Sequence, residues 1–335
     1  MTIGGFIKRV RRTIRDTPFL GPLLRSGKQA ILRRLPKSVV LWLCQPKTDW
    51  KKLEREFERF LSADEKRVVE TARTPQIIVS LTSYPARIPR IHYTVFTLLR
   101  QTLPPDRVVL WLAEEQFPNG NDDLPPALLA LLPYGLTIRY TRDIKSYKKL
   151  VPALDAFPED IIVTVDDDFL YEPGMLERLY RSYHDNNDWI HAYRAHRITM
   201  SFDGKCGEYA DWNLCIGNRD GDFRNFLTSG GGVLFPPHAL HKDVGNERLF
   251  MELSPSADDI WFWAMAVVNG TKICVVNDNV RATPNHSLTY EEIVGIGASG
   301  LMATNVFGGQ NDVQFNRVID RYPVILERLT PKRTR

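Results

Sequence analysis

The sequence predicts an α/β chain built on a mixed, mostly parallel sheet flanked by helices, with a helical N-terminal extension ahead of it. Two observations predict this. From Pro75 onward, short β-branched runs alternate with helical stretches, and the fourth such run, Ile161-Ile162-Val163-Thr164-Val165, leads directly into Asp166, Asp167 and Asp168. Parallel strands need a crossover between them, and that crossover is usually a helix, so the alternation itself implies the sheet type.

The elements follow in order. Trp50, Leu53, Phe57 and Leu61 recur at helical spacing, and Ser62-x-x-Glu65 reads as a capping box opening a second helix, so residues 1–74 form a helical lead-in to a main domain at 75–335. Strands are expected at 76–82, 107–112, 136–140 and 161–165, with helices at 91–101, 125–132 and 146–157 between them. A helix at 173–186 and a strand at 189–195 come next. The turn Ser229-Gly230-Gly231-Gly232 then precedes a strand at 233–235 that Pro236-Pro237 stops. Asp258-Asp259 opens an aromatic helix at 260–268, followed by a strand at 272–276. Residues 283–314, rich in Gly, Asn and Ser, read as a long loop before a last helix at 313–329.

Composition bounds the class. With 335 residues, 43% hydrophobic and 25% charged, the chain can bury a large core. Its longest central apolar stretch, at 260–268, is about half of what a membrane span requires. Cys44, Cys206, Cys215 and Cys274 form no Cys-x-x-Cys pair, which argues against a zinc site or a disulfide framework and for a reducing, cytoplasmic compartment. Charge is uneven: residues 1–37 hold ten of the 44 basic side chains and one acid, a segment charge of +9, and the remainder carries −5. Phe6, Val10 and Ile14 recur there among arginines, so basic amphipathic helices either lie on an anionic membrane surface or pack on the main domain or a second subunit. No apolar stretch follows that would make a secretory signal. The acidic main body disfavours nucleic acid as a partner.

Strand alternation would place Asp166 and Asp168 on one face and Asp167 on the other, making an Asp-x-Asp pair. Like charges so close repel unless a cation lies between them, and hard oxygen ligands suit Mn²⁺ or Mg²⁺. The plain alternative is a solvated acidic turn or a helix cap ahead of Pro173.

Val165-Asp166-Asp167-Asp168, Thr228-Ser229-Gly230-Gly231-Gly232 and Asp258-Asp259, in that order, resemble the parts of glycosyltransferases of the GT-A (Rossmann-like) fold, over residues from about Pro75 to Val276. In outline the likeness is to exostosin-like enzymes and to bacterial capsule or lipopolysaccharide glycosyltransferases. It implies a nucleotide-sugar-binding half at 75–170 and an acceptor-binding half at 171–335. Asp168 would bind the divalent ion, Asp166 the ribose or the metal waters, with Asp167 beside them and His286 as a third metal ligand. Thr82 and Tyr84 would meet the nucleobase, and Arg87, Lys149 and Lys148 the diphosphate. Arg194 and His196 match an Arg-x-His near the donor in exostosin-like enzymes. Gly231 and Gly232 would let backbone approach the sugar, or simply make a tight turn. Asp259 would act on the acceptor hydroxyl, as base in an inverting enzyme or as an orienting group in a retaining one, with Asp258 as cap or support; either could instead merely cap the helix. Gly308-Gly309-Gln310-Asn311-Asp312 could close over the donor.

The activity this implies is metal-dependent transfer from a nucleotide-diphosphate sugar, a UDP-sugar in the first instance, to a hydroxyl of a surface-polysaccharide or lipid-linked glycan, at the inner face of a membrane. A sugar-phosphate nucleotidyltransferase is the competing enzyme, but it would carry a Gly-rich phosphate loop where Ser83-Tyr84-Pro85 stands. A non-catalytic glycan-binding module is the third class. A metal-dependent phosphatase or nuclease would need acids on several strands, and the early strands have none.

Overall fold

Alternate side chains of the early strands are buried on opposite faces of one sheet, which is why these segments read as almost continuous apolar runs. The computed structural model describes residues 48–62, 73–280, 286–287, 305–306 and 308–330. The chain divides into two units, Met1–Thr48 and Asp49–Arg335, and the fold below is that of the second. The basic segment at 1–37 and the capping box at Ser62 to Glu65 fall wholly or mainly outside the described residues.

Helix α1 (Trp50–Ser62) belongs to this unit; Phe57 packs edge-on against Phe96, and Arg90 lies over the Trp50 ring. Then follow β1 (Ile77–Thr82), α2 (Ile91–Leu99), β2 (Arg107–Ala113), α3 (Pro126–Leu129), β3 (Leu136–Thr141), α4 (Val151–Ala156), β4 (Ile161–Thr164) and the two-residue β5 (Phe169–Leu170). The second half comprises α5 (Met175–Asp185), β6 (Ile190–Ala192), β7 (Ala195–Arg197), β8 (Arg219–Asp222), β9 (Asn225–Leu227), β10 (Val233–Phe235), α6 (Glu247–Leu253), α7 (Asp258–Asn269), β11 (Ile273–Val275), β12 (His286–Ser287), α8 (Gln310–Arg321) and α9 (Val324–Leu329).

Eight strands form one sheet in the order β3-β2-β1-β4-β10-β6-β11-β8. Pairing is parallel from β3 through β4 and between β6 and β11, whereas β10 and β8 run antiparallel to their neighbours. The architecture is therefore α/β, with a mixed, largely parallel sheet flanked by helices. Ile77, Val79 and Leu81 of β1 join a core with α1, α2, α3 and α5, while Ile78 faces the other core, with α4 and α6 to α9. Helix α7 is apolar nearly all round, the mark of a helix with no solvent face. Ile260, Trp261, Phe262 and Trp263 are all buried, each contributing about 1.5–3 kcal/mol by removal from water.

Three expected elements are cut differently, and one of them is the last helix, expected whole at 313–329 but divided into α8 and α9 ahead of Pro323. The helix expected at 146–157 is a 3₁₀ turn at Lys145–Lys149 followed by α4, because Pro152 has no N–H to give a preceding turn and fits only at a helix start. The strand expected at 189–195 splits, β6 staying in the large sheet and β7 pairing with β9 in a separate ribbon.

Candidate active site

Register brings four chain segments to one edge of the sheet. Ser80 pairs with Thr164, and Val233 pairs with both Thr164 and Ala192. The residues leaving β1, β4 and β6, and those entering β10, therefore emerge side by side at the C-terminal edge of the parallel strands. Open α/β sheets bind ligands at that edge.

Strand β4 ends at Thr164, so the three aspartates sit in the turn before β5 rather than on a pleated strand. Each then finds its own partner. Lys149 Nζ donates to Asp166 Oδ1. Ser83 Oγ donates to Asp167 Oδ2 at 2.5 Å, and Arg87 donates to Asp167 Oδ1. Arg87 Nη1 also lies 3.2 Å from Asp168 Oδ2, whereas Asp168 Oδ1 is buried with no hydrogen-bond partner among the described residues. The Tyr171 hydroxyl accepts the Asp166 N–H at 2.8 Å, and Thr94 Oγ1 donates to the Asp167 carbonyl at 3.0 Å, so the turn is held from both sides.

The second acidic pair faces this turn. Asp258 Oδ2 lies 3.0 Å from Lys149 Nζ, and Asp259 Oδ1 accepts from the Ser229 N–H at 2.9 Å and from Ser229 Oγ at 2.6 Å. Ala257 occupies the N-cap of α7, with no side-chain capping bond. Both carboxylates are thus directed into the site instead of serving as caps. Lys149 is itself fixed through its carbonyl, which accepts from the buried Ser80 hydroxyl at 2.6 Å.

Arg194, just beyond β6, donates through Nε to Thr228 Oγ1 at 2.7 Å and stacks over the Phe169 ring. The glycine run makes this closeness possible. A Cβ on Gly230 would lie 2.8 Å from Asp166 Oδ2, and one on Gly231 only 2.2 Å from Arg194 Cβ. Gly232 adopts φ +99°, with Met175 where a Cβ would go. The close approach that these glycines permit is to the protein's own side chains.

Five carboxylates, Asp166, Asp167, Asp168, Asp258 and Asp259, therefore share three cations, Lys149, Arg87 and Arg194. The imbalance of two negative charges registers on particular groups. Burial pushes the Asp168 carboxyl up to about 6, with Asp166 and Asp167 adding to the shift and Arg87 opposing it. Asp259 is likewise raised to about 6, by burial first and then by Asp258. Asp166 goes the other way: burial would raise it, but Lys149 holds it below the ordinary carboxylate range. Burial alone would lower Lys149, and Asp166, Asp258 and Asp259 together keep it charged.

The remaining candidates are dispersed. Lys148 turns away from the aspartate turn to pair with Asp143. Thr82 Oγ1 donates to the Trp111 carbonyl at 2.8 Å, and Tyr84 lies under the Arg87 guanidinium. His196 is buried, its Nδ1 accepting the Cys215 N–H at 3.0 Å, and burial lowers it to about 3, so it stays neutral. The backbone of β12 pairs His286 with Leu170, two residues beyond Asp168. Asp312 accepts the Tyr209 N–H at 2.7 Å. Ser83, Ser229 and Tyr171 were not anticipated; a serine before a glycine run and a tyrosine after an acidic turn carry no distinctive spacing.

Among the described residues, no three His, Cys, Asp or Glu side chains converge into a cage for a metal ion. Mg²⁺ and Mn²⁺ do not require one, since one or two carboxylates commonly suffice when water and substrate phosphates complete the shell. Asp168 Oδ1, without a partner among the described residues and within a cluster short of two positive charges, fits such an ion. No protein-family model matches the chain, and no curated protein matches it. Geometry and chemistry therefore carry the functional reading.

Proposed function

We propose that this chain is a metal-dependent glycosyltransferase of GT-A type, moving a sugar from a nucleotide-diphosphate donor, a UDP-sugar in the first instance, to a hydroxyl of a surface-polysaccharide or lipid-linked glycan. One observation carries the reading: the buried oxygen of Asp168, without a partner among the described residues, at the edge where open α/β sheets bind ligands, opposite a second acidic pair on α7. A bound Mn²⁺ or Mg²⁺ would be held by Asp168 with Asp166 beside it, and would neutralise charge developing on the departing diphosphate; the side chain of His286, the third ligand the resemblance implies, lies outside the described residues.

The chain's own residues supply the rest. Ser229 fixes one oxygen of Asp259, leaving the other to take the proton of the acceptor hydroxyl. A carboxyl titrating near 6 is ionised at neutral pH yet more basic than an ordinary aspartate. Arg87 and Arg194 flank the turn as fixed positive charges for the anionic donor. Thr82 and Tyr84, at the end of β1, are the nearest candidates for the base. The basic segment at 1–37 would hold the protein against an anionic membrane presenting a lipid-linked acceptor. No helix among the described residues is long and apolar enough to cross a membrane.

The test is a screen of nucleotide sugars for hydrolysis and binding, with and without Mn²⁺ or Mg²⁺, on the wild type and on Asp168→Asn. Cation-dependent turnover of one donor, lost in the variant, is the expected result. Near-normal turnover by the variant would remove the metal assignment. Failure of every donor to bind would remove the enzyme class.

A further inference from the structure

The Lys149 ammonium occupies an unusual place. Its side chain is 5% exposed, and its charge is met by carboxylates from two distant segments: Asp166 of the aspartate turn and Asp258 of α7. Lysines normally extend their ammonium to water, so full burial demands strong compensation. Here that compensation is a bridge between the two acidic motifs, and their two oxygens lie close enough together for both to meet one ammonium. A divalent ion bonding oxygen at about 2.0–2.6 Å would fit the same gap after a small inward shift.

We propose that Lys149 is a positioning residue that stands in for a divalent cation between Asp166 and Asp258, so that the site takes one metal ion, on Asp168, and not two. The assignment sorts the carboxylates by role. Lys149 engages Asp166 and Asp258, and Arg87 with Ser83 engages Asp167. Asp168 keeps Oδ1, buried and with no hydrogen-bond partner among the described residues, and Asp259 has only its Oδ1 engaged, by Ser229. Lys149 therefore serves as an internal counter-ion, where the sequence suggested a contact to phosphate. The inference rests on the metal-site reading above only for the ion on Asp168.

Mn²⁺ binding to the full chain, measured by calorimetry together with Mn²⁺-dependent shifts in melting temperature, tests it without any substrate. The expected outcome is one ion more for Lys149→Ala than for the wild type, and the wild-type count for the conservative variant Lys149→Arg. The double variant Lys149→Ala/Asp258→Asn should return to the wild-type count, because the second wall of the new site is gone. If Lys149→Ala does not fold alone, millimolar Mn²⁺ should restore its folded signal, and failure to do so while the double variant folds would overturn the proposal. An unchanged count in folded Lys149→Ala, or two ions in the wild type, would also overturn it while leaving the metal reading intact. No ion in the wild type but one in Lys149→Ala would uphold the Lys149 role and remove the metal reading instead.

Discussion

Ser229 holds a single carboxylate oxygen of Asp259 through two donors at once, its backbone N–H at 2.9 Å and its hydroxyl at 2.6 Å. That grip fixes the orientation of the carboxyl and occupies Oδ1, which leaves Oδ2 as the oxygen for any further ligand. Replacing Asp259 by Asn should lower kcat by about 10²–10⁴-fold with little change in donor affinity, as loss of a general base does. Steady-state kinetics with separate donor titration checks this; equal damage to both would indicate a role in holding the helix start. Because the Asp259 pKa is raised to about 6, the wild-type rate should fall as pH drops below about 6, and that acid limb should be altered in the variant.

Acid should also act on stability through His196, in a direction that can be worked out. Burial, assisted by Arg194, keeps its folded pKa at about 3, whereas in the unfolded chain it titrates near 6.5. Between those values the unfolded state binds more protons, so this contribution is complete above about pH 6.5 and is lost as pH falls, by up to about 1.4 kcal/mol per unit. His196→Asn keeps an acceptor for the Cys215 N–H and has no such titration. The difference in melting temperature between wild type and variant should therefore shrink by several degrees from pH 7.5 to pH 4.5; a constant difference would refute the neutral-histidine account.

Gly231→Ala should be costly. The added methyl would lie 2.2 Å from Arg194 Cβ and 3.1 Å from its Cα, so backbone must move to admit it. Overpacking of this kind costs about 1–3 kcal/mol, and each kcal/mol lowers the melting temperature by about 2–4 °C in a chain of moderate size. Gly245→Ala, whose nearest neighbour is Val151 Cγ1 at 3.9 Å, is the control and should change little. Thermal unfolding of the two variants side by side decides it.

Deletion of residues 1–37 removes nine net positive charges and should abolish sedimentation with anionic vesicles while leaving donor hydrolysis in solution intact. Unchanged vesicle binding would locate the membrane contact elsewhere or remove it.

Much of the first half was legible because buried parallel strands are written as β-branched runs: β1, β2, β3 and β4 lie within a residue or so of their expected bounds. The second half was less so. Strand β8 reads Arg-Asp-Gly-Asp, which no propensity favours, and it exists through pairing with β11 at the sheet's edge. Pro152 did signal the break between the 3₁₀ turn and α4, but the apolar periodicity around it suggested one helix. At the site, the acids could be read and their partners could not. Nothing in Lys148-Lys149 tells which of the two buried lysines meets the aspartate turn; that depends on where the folded chain places Asp143 and Asp166.

Helix α7 has a further consequence. Trp261 donates to the Val244 carbonyl and Trp263 to that of Phe223, with Phe315 and Tyr322 packed on their rings. An element clamped on every flank cannot slide or tilt to suit a larger guest. If the chain transfers sugars, Asp258 and Asp259 form a stationary anvil, since even the β7–β9 ribbon is tied to that helix, with Phe226 of β9 lying against the Trp263 ring.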